Sequence, residues 1–533
     1  MNRTTLSLIA GTAALAAVTA FAAFDGPSAA GASAPKAAAD LPVQRTSLLC
    51  PAPSISDIAD TSYTSFTPVT QGAASSGKAQ LQAASEQSAD GTANSQTGGS
   101  QTGGSQTGKG AKGAKGSKGT KDSKGGQKAS GTSGTSGQPV LTPKAPGTPA
   151  TGDSSGADAP ALIGTADGQF APGWTVQETT EVAAGTGRGL QGVTCGPADT
   201  EFWFPGAGTA ASRTDYVHLT NPDDSAAVVD IELYGKDGAI KSPLGENLTV
   251  PPHASKPILL STLTDTQQPD LTVHVSVRSG RVGAAVQALD DKTGGDWLAA
   301  AADPAPSLVL PGIPKDATDV RLIAFTPGGD DADLKVRLAS PDGLITPAGN
   351  ETLHVKSGMT TAVDLGAVTR GEAGSLVLTP TDRSVPVVAA LQVVRGKGDK
   401  QETAFIPATA PVGTRATVAY NSATGTTLAL TAPTATATVK VTASAGSDGG
   451  TAATKTYTIK SGTTQNVDAP VPSGLQGAYA LTVETTSGGP VYASRTLAAT
   501  EAGVPGFTIQ TLANDRGMVA VPETTEDLAV LQK

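Results

Sequence analysis

The sequence predicts an all-β protein: tandem immunoglobulin-like β-sandwich domains with a long disordered insertion. Three observations carry that expectation. Beyond Phe170, short runs of alternating apolar and polar residues are separated by turn residues, and no helical period is present. One such run recurs at a fixed spacing of 105 residues. Between Thr67 and Gln169 there is no Phe, Tyr or Trp, so that stretch has little to bury against an ordering entropy of ~1 to 2 kcal/mol per residue.

The chain has 533 residues, enough for several cores, and contains 64 Gly and 37 Pro, which favours loops over helices. Its start, "MNRTTLSLIAGTAALAAVTAFAAF", sets one positive residue, Arg3, before an apolar run and reads as an export signal within residues 1–39. Cleavage after Ala30 or Ala39 fits the small-residue rule, and retention as a membrane anchor is the alternative. Either way the rest of the protein is expected outside the cytoplasm. Cys50 and Cys195, the two cysteines, then lie where disulfides persist and are expected to pair.

Residues 40–66, around "LPVQRTSLLCPAP", form a lone apolar strand segment that needs a sheet to join. A disulfide to "GLQGVTCGP" would lock it onto the first sandwich. Residues 67–169 read as a disordered linker of "GGSQT" repeats, a lysine tract and a proline-spaced segment. In the tract, Lys109, Lys112, Lys115, Lys118, Lys121, Lys124 and Lys128 face one acid, Asp122, for a net charge of +6 in a chain of −10 overall. That concentration of charge suits contact with an anionic polymer or surface, or serves as a soluble spacer. Interleaved aromatics and arginines are missing, so nucleic acid is not expected.

Three sandwiches are expected over residues 170–303, 304–403 and 404–533, the last with a C-terminal strand segment. Val229, Ile231 and Leu233 in "VVDIELYGKDG" fall on one face of a strand. At intervals of 105 residues come Leu334, Val336 and Leu338, then Val439, Val441 and Ala443, each run followed by an Asp-Gly turn. "FWFPG", "LVLPG" and "AFIPA" read as leading edge strands ending near Pro205, Pro311 and Pro407, where a missing N–H costs least.

"RGLQGVTCGPADTEFWFPG", "NPDDSAAVVDIELYGKDG", the early "LLCP" and the ending "PETTEDLAVL" resemble an exported actinobacterial family known only as domain-of-unknown-function family 5719. The resemblance implies an envelope location and supplies no catalytic residues.

No enzyme, cofactor or metal site is expected. "GRGLQG" matches a dinucleotide fingerprint by letter, but "VTCGP" follows it where a helix must begin. His218, His253, His274 and His354 are scattered and read as solvated strand residues. Asp330, Asp331 and Asp333 offer oxygens without the glycine and glutamate of a calcium loop. Trp203 and Trp297 suit core packing better than sugar stacking in so aromatic-poor a chain. The expected role is a non-enzymatic envelope scaffold docking an exported protein partner. The alternative is a protein that binds wall glycan or anionic polymer.

Overall fold

In the computed structural model, the described residues are 38–86, 139–501 and 504–522. They are strands, turns and a few single-turn 3-10 segments, with no α-helix among them. The apolar run expected to be an export signal and the lysine tract lie outside the described residues.

The 105-residue spacing marks the third strand of successive sandwiches: Ala227–Gly235, Ala332–Ser340 and Ala437–Ala443. All nine periodic residues are buried, because alternation on a strand directs every second side chain between the two sheets. The turn after each strand sets a glycine at positive φ, Gly238 at 108°, Gly343 at 140° and Gly449 at 143°, a geometry that only glycine adopts without strain.

Four sandwiches are present rather than three. Each has one sheet in the order first, sixth, third, fourth, and a second in the order eighth, seventh, second, fifth, counting short paired strands in the fourth position together. In the immunoglobulin constant arrangement the first strand lies in the sheet of the second and fifth. Here it pairs with the sixth, as Glu201–Ala207 does with Leu271–Ser279.

The additional sandwich corrects the expected map. Arg45–Cys50, Ala59–Phe66, Ala79–Ala83, Pro139–Leu141, Ala150–Ser155, Leu162–Asp167, Thr175–Val182 and Gly189–Thr194 are its eight strands. Four of them fall inside the stretch 67–169 assigned to a disordered linker, and the last two inside the sandwich assigned to 170–303. Half of the residues in those four are Ala, Gly, Ser or Thr, and the strands contribute mostly single large side chains such as Leu81, Leu141 and Leu162. The aromatic bulk comes from flanking elements, through Tyr63, Phe170 and Trp174. Residues 87–138 fall between its third and fourth strands. Both flanks are held: Ser85 pairs with Ala254 of the second sandwich, and Pro139 pairs with Gln82.

The remaining sandwiches run from Glu201 to Leu298, from Leu308 to Pro407 and from Arg415 to Leu512. "AFIPA" therefore closes the third sandwich and does not open the fourth, since Glu402–Pro407 pairs with Val388–Arg395. Each sandwich has its own apolar core, and neighbours add to some: Ala390 and Phe405 reach into the second, Phe507 and Ile509 into the third. Separately, Ala39–Pro42 and Met518–Val521 form a two-stranded ribbon with Leu41, Met518, Val519 and Val521 exposed.

Candidate functional site

The eighth strands of the four sandwiches are Gly189–Thr194, Gly294–Leu298, Glu402–Pro407 and Val504–Leu512. Each packs against the next, and the last packs back on the first. Small apolar clusters seal the four junctions: Val193, Ala285 and Trp297; Trp203, Phe325 and Val388; Val309, Ala339 and Val377 of the third sandwich with Tyr492 of the fourth; Phe66, Ala419 and Ala480. At the closing junction Arg415 pairs with Asp515 at 2.5 Å and donates to Thr70 Oγ1 at 2.9 Å.

The shared centre is polar. Asp296 Oδ1 accepts from Gly192 N at 2.9 Å and from Thr508 Oγ1 at 3.0 Å, and Gln510 Nε2 donates to Gly192 O at 3.0 Å. Arg188 Nη2 donates to the carbonyls of Lys292, Asp399 and Gln401 at 2.9 to 3.1 Å. These bonds join all four sandwiches. Glu402 fills the space left by Gly189 and Gly294; a Cβ on Gly189 would lie 2.0 Å from Glu402 Oε2. Burial raises Asp296 well above the usual carboxyl range, and raises Glu402 to about 8 against the lowering effect of Arg188. Arg495, fully buried, is lowered by burial to about 10 and donates from Nη1 to Tyr420 O.

Cys50 and Cys195 form the expected disulfide, which spans the two sheets of the first sandwich. The strand Arg45–Cys50 itself pairs with Leu162–Asp167, and it meets the segment of Cys195 through the disulfide and the bridge Leu49–Gly196. Glu178 lies beside the sulfurs, and burial raises its pKa well above the usual range.

Among the described residues, two of the surface clefts are lined by charged groups. One, of about 450 Å³, is lined by Asp330, Asp331, Asp333, His354, Asp382 and Arg383. His354 holds Asp333 through Nδ1 at 2.8 Å and lies 3.6 Å from Asp331 through Nε2. These acids are thus engaged by neighbouring bases. The other, of about 520 Å³, borders Glu402 and includes Asp316, Arg395, Lys400 and Phe507. Arg395 pairs with Asp316 at 2.5 Å and sits 4.7 Å from the Phe507 ring centre.

Trp203 and Trp297 are buried at junctions, Trp203 stacked on His274 at 3.8 Å and Trp297 edge-on to His218 at 5.1 Å. His218 is not a solvated residue as expected: it is buried, which lowers its pKa to about 4. His274 is largely covered as well and bonds Glu232 at 2.7 Å. His253, on an exposed turn, bonds Asp224 at 2.7 Å. Gly189 and Gly192 of "GRGLQG" lie on a strand, which removes the phosphate-loop reading.

Sequence reasoning missed Arg188, Glu178, Asp296, Glu402 and Arg495. The available signal was an ionisable residue within or at the edge of an apolar strand, as in "GGDWL" and "ETAFIP".

Among the described residues no helix is long and apolar enough to cross a membrane. No curated protein and no solved structure matches the chain. One family model does match, over residues 150–470, a span that begins beyond the lysine tract and covers more than half of the chain. The chain therefore belongs to DUF5719, a family of unknown function.

Proposed function

We propose that this protein is a non-enzymatic, extracytoplasmic scaffold that docks other exported components. One observation carries the reading: four sandwiches close on a common centre through their eighth strands, which fixes the orientation of every outward face. The Asp296 carboxyl and Arg188 serve that closure by bonding backbone across sandwich boundaries. The buried disulfide suits an oxidising compartment. Photo-cross-linking of the full chain on intact cells tests the role. A discrete exported protein captured in stoichiometric amount supports it, and capture of polymer alone overturns it.

The lysine tract favours a second reading, contact with anionic wall polymer or lipid head groups. Its seven lysines sit between flanks held on strands, Ser85 and Glu86 on one side and Pro139 on the other, so any surface they contact is brought to the sandwiches.

A further inference from the structure

The interior of the first sandwich contains a group that packing does not explain. Glu178 is 1% exposed, and neither of its carboxyl oxygens has a hydrogen-bond partner. A carboxyl buried without a partner is unfavourable, where an apolar side chain at the same place would stabilise the sandwich. One of its oxygens and the sulfurs of Cys50 and Cys195 all lie within 4.8 Å of one another. The polar groups of the surrounding aromatics are already engaged: Tyr63 Oη with Ser154 Oγ at 3.1 Å, Trp174 Nε1 with Ser65 Oγ at 2.8 Å. Two sulfurs and an unsatisfied carboxyl in one buried pocket form a donor set that a borderline-soft divalent cation takes and calcium or magnesium does not.

We propose that, when the disulfide is reduced, Cys50, Cys195 and Glu178 form a buried site for Zn²⁺, with two thiolates, one carboxylate and one open position. A dithiol reductant supplies two electrons and two protons to the S–S bond and leaves as its own disulfide. Entry of the ion then displaces the two thiol protons and any proton on Glu178 to solvent. Tetrahedral bonds of about 2.3 Å to sulfur separate the sulfurs to roughly 3.7 Å. The ion thus joins the same two strands that the disulfide joins, across 145 residues of sequence. The first sandwich has two interchangeable staples, one for an oxidising and one for a reducing environment.

The test uses the full chain produced in a reducing cytosol and purified under a phosphine reductant. Zn²⁺ is titrated in competition with a chromophoric chelator, and Co²⁺ serves as a spectroscopic probe. One ion per chain, with the intense visible and sulfur-to-metal bands of tetrahedral thiolate Co²⁺, is expected. C50S/C195S should abolish binding. E178Q, which keeps both cysteines and folds through the disulfide when oxidised, should weaken binding at least tenfold. Reduced, folded protein that binds no stoichiometric Zn²⁺, or E178Q that binds like the parent, overturns the proposal.

Discussion

The Asp296 carboxylate accepts a hydrogen bond from the Thr508 hydroxyl at 3.0 Å, across 212 residues of sequence and between the second and fourth sandwiches. The same oxygen accepts from Gly192 N of the first sandwich. Asp296→Ala strands two buried donors and should cost roughly 2 to 4 kcal/mol. Asp296→Asn keeps an acceptor and should cost much less. Denaturant unfolding of the full chain checks this, and equal losses for the two variants would contradict the bonding described.

Gly189 has φ 116° and faces the Glu402 carboxylate. Gly189→Ala should therefore destabilise by roughly 1 to 3 kcal/mol through strain and overpacking. Gly328→Ala, at a position with nothing within 4 Å, is the control and should leave the melting temperature in place.

Glu402 is raised from 4.5 to about 8, so the folded state binds its proton more tightly than the unfolded state. Its contribution is complete below pH 4.5 and is lost as pH rises through about 8. Glu178, also raised, acts in the same direction. The melting temperature should fall between pH 5 and 9, and E178Q/E402Q should flatten the slope. A parent whose stability rises over that window would refute the assignment.

Limited proteolysis should cut first between residues 87 and 138, because each flank of this Gly/Ser/Thr-rich stretch is fixed on a strand and its sequence contains no Val, Ile, Leu, Met or aromatic residue to bury. The two fragments should stay joined by Cys50 and Cys195 until reduced. On the loop-entropy model this bond contributes up to about 5 kcal/mol. Primary cuts inside Ala227–Gly235 would contradict the strand map.

Full-length protein should bind anionic vesicles at low salt, less as the Debye length shrinks from ~10 Å at 0.1 M to ~3 Å at 1 M. Replacing the seven lysines by glutamine should abolish binding and leave thermal stability unchanged. Equal binding by the glutamine variant would reduce the tract to a spacer.

The strand period and the repeat were legible because alternation is a local property: Val229, Ile231 and Leu233 declare their face within one strand. The first sandwich was not, since its middle strands carry so few large apolar residues that Leu81 and Leu162 read as isolated. Their partners, Tyr63 and Trp174, lie just outside the stretch 67–169, one on each side of it. Cys50 and Cys195 were legible from their number and from the compartment that the apolar start of the chain led us to expect. The polar centre was hidden for another reason: Asp296, Glu402 and Arg188 acquire meaning only where strands from different sandwiches meet, and pairing across some hundred residues leaves no local trace.

Closure fixes the copy number. In an open array of repeats a unit can be gained or lost at an end, because each touches only its neighbours. Here the eighth strands of all four sandwiches meet at one centre, so a fifth unit would have no place in the packing and a missing one would expose Asp296 and Glu402 to water.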